Sequence, residues 1–148
     1  YEADDLSNVD FSEFVVTLAR QLHGQYVLDP SIVGLDLECR PVRLEVDQAV
    51  PCAMILTELL ANAFKHAFPD GRVGRVTVSL RETHRGWVLK VCDDGVGISH
   101  RDAAGSGPKL GFRLMDSLVG QLGAHLKVRD LEPGTAFRLE YKEAAWKR

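Results

Sequence analysis

The stretch "RVTVSLRETHRGWVLKVCDDGVG", Arg75 to Gly97, decides the fold. Val76, Val78 and Leu80 alternate with Thr77, Ser79 and Arg81, and Trp87, Leu89 and Val91 recur at the same spacing further on. A period of two marks a strand with one buried face, and the short polar "RETHRG" between the runs predicts a β-hairpin. Parity then reaches past the core residues. Asp93 is the next residue on the face of Trp87, Leu89 and Val91, whereas Asp94 points the other way. Asp93 is therefore an inward carboxylate at the end of a core strand, and a buried charge needs a donor. Two donors are open: a backbone N–H of the Asp-Gly turn, or the amino group of a ligand. Gly95 and Gly97 remove Cβ atoms where a ligand or another backbone must come close, and they permit φ > 0.

Upstream lies "AMILTELLANAFKHAF", Ala53 to Phe68. Apolar side chains cover most of this helix, and Glu58, Asn62, Lys65 and His66 fall at i, i+4, i+7 and i+8 as one narrow polar stripe. A solvated helix face is the common origin of such a stripe. Here a carboxylate, an amide oxygen and a cation stand in a row, a set that suits a metal–phosphate site. His66 also fits a histidine at the edge of the core. His23, His84, His100 and His125 read as surface residues. Downstream, "GSGPKLGFRLM" places glycine-rich backbone before a helix, a seat for phosphates. In "PGTAFRLEY", Thr135 shares the strand face of Phe137, Leu139 and Tyr141, so a second inward polar group stands at a strand start. It suits a partner for Asp93, or for a water that bridges to a base.

The remaining elements complete the architecture. Residues 1–10, "YEADDLSNVD", read as an incoming linker, and Asp10 with Glu13 resembles a capping box. Phe11, Phe14, Val15, Leu18, Ala19 and Leu22 then recur at helical spacing. Val33, Leu35, Leu37 and Cys39 form a strand, and a short extended piece covers Val42 to Val46. Asp47 can cap the second helix with Pro51 near its first turn. That helix ends at the turn Pro69 to Gly74, and residues 99–111 read as loop. A third helix carries Leu114, Met115, Leu118, Val119 and Leu122 on one face, and "AHLKV" and "TAFRLEY" are the last strands. These elements predict an α/β two-layer sandwich, a mixed, mostly antiparallel sheet covered on one face by about three helices.

Composition narrows the functional classes. With 148 residues, 45% hydrophobic and 26% charged, the chain suits one globular domain, residues 11–148. A net charge of −3 with scattered Lys and Arg argues against nucleic acid or an anionic membrane as the main partner. Cys39, Cys52 and Cys92 match no zinc spacing and read as reduced thiols in a cytoplasmic setting. No apolar run has the length of a membrane span, and no signal peptide is present. The chain opens on Tyr1 rather than Met, which reads as a piece of a longer protein with any sensor or membrane anchor outside it.

"ELLANAFKH", "DDGVG", "KLGFRLM" and "GTAFRLEY", in that order, resemble the N box and three glycine boxes of the histidine-kinase catalytic domain. This is the Bergerat ATP-binding fold, shared with gyrase, Hsp90 and MutL. The run "TELLANAFKHAFPDGRVGRVTVSL" before "VCDDGVGI" is most similar to the HisKA_2 group of sensor kinases. The resemblance implies that ATP and Mg²⁺ bind, that Asn62 ligates the metal and that Lys65 contacts phosphate. It implies that Glu58 positions or activates a group near the metal, and that Asp93 accepts from the adenine amino group with Thr135 in support. Residues 99–110 would be the ATP lid, with His66, Gly95, Gly97, Leu110 and Gly111 also at the nucleotide. The second glycine box departs from the compact family form, its glycines spread and Pro108 between them, so Gly111 is the match rather than Gly105 or Gly107.

The implied activity is protein-histidine kinase, with the phosphoacceptor histidine on a missing upstream dimerisation domain and a response regulator downstream. The full-length protein is then expected to be a homodimer. Two rivals stay open: a same-fold ATP hydrolase in which Glu58 activates water, and a kinase-like scaffold or phosphotransfer module.

Overall fold

The computed structural model describes residues 8–98 and 109–143. In chain order the elements are β1 (Asn8–Asp10), α1 (Phe11–Tyr26), β2 (Val33–Cys39), β3 (Arg43–Glu45) and α2 (Val46–His66). A 3-10 turn over Pro69–Gly71 follows, then β4 (Gly74–Glu82), β5 (Gly86–Asp93), α3 (Lys109–Leu122), β6 (His125–Asp130) and β7 (Thr135–Lys142). The main sheet has the order β2-β4-β5-β7-β6. Only β2 and β4 run parallel; the other pairs are antiparallel, including the hairpin read from Arg75 to Gly97. The parallel pair is joined through β3 and α2, the long crossover that parallel strands require.

The inner sheet face carries Val76, Val78, Leu80, Trp87, Leu89, Val91, Phe137 and Leu139, all at most 3% exposed. They form one cluster with Val15 and Ala19 of α1, Ile55, Leu59 and Leu60 of α2, and Met115 and Leu122 of α3. The two-layer sandwich expected from the sequence is the fold observed.

Four local expectations are corrected. Asn8–Asp10, read as linker, is a strand paired antiparallel with β3, with Asn8 opposite Glu45. Strand pairing uses backbone groups, so a polar sequence does not prevent it. Residues 1–7 of that expected linker lie outside the described residues. Asp10 does cap α1, through Ser12: its carboxylate accepts from Ser12 N at 3.1 Å and Ser12 Oγ at 2.7 Å. Asp47 is not the cap of α2. Glu45 holds that position without a side-chain hydrogen bond, and Asp47 stands in the first turn, where an acid still favours the positive end of the helix dipole.

The third helix starts at Lys109, so Leu110 and Gly111 belong to its first turn and not to the loop expected over 99–111. Finally, Phe14 and Leu114, placed on buried helix faces by their spacing, are 44% and 51% exposed. Each stands at the margin of its apolar stripe. Periodicity gives the direction of such a stripe, while its width depends on how many neighbours the helix meets.

Candidate functional site

The site begins where β5 and β7 end side by side. Asp93 stands directly opposite Thr135 in the antiparallel register. Both point inward, 5% and 0% exposed, as strand parity requires. Gly95 N donates to Asp93 Oδ1 at 2.9 Å, so the backbone donor of the Asp-Gly turn is in place. A carboxylate has about four lone-pair positions, so this bond does not exhaust its capacity. Thr135 Oγ1 is buried and has no hydrogen-bond partner. It therefore does not grip the Asp93 carboxylate directly, and a hydroxyl in this state is suited to a water or a ligand.

The second wall comes from α2. Asn62 is 9% exposed, and its Nδ2 is likewise buried without a partner. Glu58, one turn earlier, is half-buried and lines a groove of about 170 Å³ with Met54, Thr57, Leu114 and Leu118, between α2 and α3. Lys65 is exposed, with its Nζ 5.1 Å from the centre of the Tyr26 ring on α1, a cation–π arrangement. His66 is half-buried in the last turn. The stripe expected along α2 thus divides. Asn62 and Glu58 face protein-lined space, whereas the Lys65 ammonium rests on α1 and must leave Tyr26 to meet a phosphate.

Two close backbone approaches join α2 to the strand ends. Val96 N donates to the carbonyl of Ala67, the C-cap residue of α2, at 2.9 Å. A Cβ on Gly95 would collide with that same carbonyl oxygen. Gly95 is required by the packing of the turn on the helix end, which was one of the two reasons its sequence context allowed. Gly97 has φ +87°, the left-handed conformation that was the other. On the β7 side, Gly134 has φ +104°, and a Cβ there would run into the Asp93 carbonyl.

Asp94, the second aspartate of the opening stretch, has a role that sequence reasoning missed. It is exposed, and its Oδ1 accepts from Arg75 N at 2.8 Å. The Arg72 guanidinium donates to the carbonyl oxygens of Asp94 at 3.2 Å and Gly95 at 3.5 Å. Arg72, Ala67, Asp94 and Gly134 together fix the turn that follows Asp93. Their only trace in the sequence is the compact "FPDGRVG" beside "DDGVG" and the glycine before Thr135.

Among the described residues, no group of three or more His, Cys, Asp or Glu side chains is placed to hold a metal ion. The donor set nevertheless fits a magnesium ion, because Mg²⁺ keeps several waters and takes its remaining ligands from a carboxylate or amide and substrate phosphates. Asn62 is the residue placed for this: the two ends of an amide exchange by rotation, so the side chain can present oxygen where its nitrogen now lacks an acceptor. Of the expected lid, residues 99–110, residues 99–108 with Gly105 and Gly107 lie outside the described residues, and 109–110 are helical rather than loop. Leu110 and Gly111 lie in the first turn of α3.

A family described as histidine kinase-, DNA gyrase B-, and HSP90-like ATPases matches residues 47–145. Sensor histidine kinase PdtaS of Mycobacterium tuberculosis is 35% identical over 95 residues, covering 62% of this chain. The chain spans about a fifth of that relative's length, 19%. Among solved structures, the histidine kinase domain of the Erythrobacter litoralis EL346 blue-light activated histidine kinase superposes with a TM-score of 0.77 at 26% identity. That match covers 88% of this chain and 60% of the other. The catalytic domain of histidine kinase ThkA has the same fold, with a TM-score of 0.69 at 17% identity over 95% of this chain and 97% of that one.

Proposed function

The chain belongs to the family of histidine kinase-, DNA gyrase B- and HSP90-like ATPases, and on that premise we propose that it is the ATP-binding catalytic domain of a sensor histidine kinase. It holds Mg·ATP and presents the γ-phosphoryl group to a histidine on a separate dimerisation domain. The observation that carries this reading is the pair of unpartnered buried polar atoms, Asn62 Nδ2 on the helix wall and Thr135 Oγ1 on the strand wall that also bears Asp93. Such groups cost folding free energy unless a ligand or water meets them.

In this reading Asp93 accepts from the adenine amino group, and Thr135 meets the base through its hydroxyl or a bridging water. Asn62 gives its amide oxygen to Mg²⁺, which would neutralise phosphate charge. Lys65 swings from Tyr26 to the phosphates, and Leu110 and Gly111 present the start of α3 to them. His66 flanks the phosphate side. Transfer then depends on positioning and charge neutralisation, with little covalent chemistry for the protein to perform. No described helix is long and apolar enough to cross a membrane. A cytoplasmic domain of a homodimeric kinase, acting upstream of a response regulator, fits that fact.

Glu58 separates kinase from hydrolase. A general base for water needs access to the attacking water, and such a role is usually worth about 10²–10⁴ in rate. Glu58 lines its groove with Met54, Thr57, Leu114 and Leu118, and in the kinase reading it orients the metal's waters rather than activating one for attack. The test is a phosphotransfer assay in which the chain is mixed with Mg·ATP and a histidine-bearing dimerisation domain from a related kinase. Acid-labile phosphate on the added domain is expected, with slow ATP loss in its absence. Rapid ATP hydrolysis by the chain alone, lost on Glu58→Gln with nucleotide binding intact, would establish the hydrolase instead.

A further inference from the structure

The turn after Asp93 is gripped by one segment of the chain, and that grip reaches the carboxylate itself. The segment runs from Ala67, the C-cap of α2, to Arg75 in β4. Within it Asp70 and Gly71 have φ +57° and +75°, and Arg72 N donates to the Pro69 carbonyl at 3.1 Å. Two successive left-handed residues make a tight reversal, which an Asp-Gly pair adopts at little cost. Past this reversal the exposed Arg72 side chain reaches the carbonyls of Asp94 and Gly95. Gly74 leaves room for the Asp94 carboxylate, since a Cβ there would meet Asp94 Oδ1.

Asp94 is held at three points. Its carboxylate accepts from Arg75 N at 2.8 Å, its N–H donates to the Arg75 carbonyl at 3.4 Å, and its carbonyl accepts from the Arg72 guanidinium at 3.2 Å. The third contact bears on Asp93. The Asp94 carbonyl and the Gly95 N–H belong to one peptide unit, which is planar and here trans. In a trans unit these two groups point in opposite directions. A guanidinium that holds the carbonyl outward therefore holds the N–H inward, where it donates to Asp93 Oδ1 at 2.9 Å. Hydrogen bonds at the two ends of one amide also polarise each other, so the cation strengthens the donor that Asp93 accepts.

We propose that Arg72 is a positioning residue for base recognition. Through the 94–95 peptide it sets the plane of the Asp93 carboxylate, and so the direction in which that carboxylate accepts from a ligand amino group. The proposal rests on the reading that Asp93 meets the adenine amino group, and Arg72 acts through Asp93 rather than on the nucleotide. The same segment takes Val96 N on the Ala67 carbonyl, so the end of the helix that bears Asn62 also carries the turn that aims Asp93.

The test compares ADP with purine riboside diphosphate, which has hydrogen in place of the amino group, by calorimetric titration in the presence of Mg²⁺. The unsubstituted chain is expected to prefer ADP by about tenfold or more. Arg72→Gln is expected to lower ADP affinity about three- to tenfold, while affinity for the purine analogue changes less than about twofold. Arg72→Lys keeps a cation and a donor for the Asp94 carbonyl, so its ADP affinity is expected to fall between. In an Asp93→Ala background, Arg72→Gln is expected to cost nothing further, because the two residues act as one unit. Equal losses for the two nucleotides would make Arg72 a general brace of the fold and overturn the proposal. An unchanged ADP affinity, or a full additional loss in the Asp93→Ala background, would overturn it as well. No preference for ADP in the unsubstituted chain would overturn the assignment of Asp93 to the adenine amino group, and the proposal with it.

Discussion

The two ends of strand β5 teach what separates a site from a core. At one end Trp87 packs on Tyr141, ring centres 5.8 Å apart and nearly parallel. At the other end Asp93 faces Thr135 across the same pair of strands. All four lie on the inner face, and each end holds a buried polar atom without a partner: Trp87 Nε1 at one, Thr135 Oγ1 at the other. An orphaned donor alone therefore does not mark a site. At the Asp93 end the orphan coincides with a second one on Asn62, a carboxylate, and backbone packed so closely that Gly95 and Gly134 admit no side chain. The Trp87 end also has a second orphan, Arg85 Nε, and a glycine without room for a side chain, Gly86, but its carboxylates are exposed, and beside them stands an aromatic stack that contributes about 0.5–1.5 kcal/mol beyond burial.

That comparison can be broken most directly through Asn62. Asn62→Ala is expected to abolish Mg²⁺-dependent nucleotide binding, read by calorimetric titration of ATP with and without EDTA. Binding that survives equally well in both conditions would remove the metal from the site. Next in size is Asp93→Ala. A hydrogen bond to a charged group contributes about 1.5–3 kcal/mol, so ADP affinity should fall roughly ten- to hundredfold, with discrimination against GDP lost. An unchanged affinity would show that this carboxylate serves the fold and not the nucleotide.

Thr135→Val sharpens the contrast because its two expected effects have opposite signs. Valine keeps the shape and removes the unpartnered hydroxyl, so the ligand-free protein should gain up to about 1 kcal/mol in a denaturant titration. ADP binding should weaken by roughly two- to tenfold, the worth of one neutral hydrogen bond. A loss of stability would mean that the hydroxyl serves folding. The smallest effect belongs to Trp87→Phe. It deletes an unpartnered N–H and keeps a ring beside Tyr141, so stability should change by no more than about 1 kcal/mol, with ADP affinity untouched. A fall in ADP affinity here would show that the two ends of β5 are coupled.

Much of this was legible in the sequence where the signal is local. The alternation from Val76 to Val91 made a hairpin, and counting by twos placed Asp93 inside and Asp94 outside, as observed. The same parity placed Thr135 inward. The stripe on α2 was legible as residue types at helical spacing, and Asn62 is indeed buried with its amide unsatisfied. Lys65 resting on Tyr26 was not, because that contact joins two helices whose packing leaves no trace in either sequence alone. β1 was missed for a related reason, since its pairing with β3 is made by backbone groups common to every residue.

The sequence by itself determined the period of each main element, the inward direction of Asp93 and Thr135, and the order of four motifs that place the chain among these ATPases. Those properties depend on neighbours within a few residues, where strand and helix geometry act directly on the pattern. Tertiary structure decided what distant residues do to one another. Gly95 is glycine because the Ala67 carbonyl occupies the space of its side chain, and Asp94 matters because Arg75 and Arg72, about twenty residues earlier, tie its turn down. Likewise Lys90, Arg138 and Lys127 are scattered charges along the chain and one row on the sheet. Strand register, set by burying the inner face, put them there.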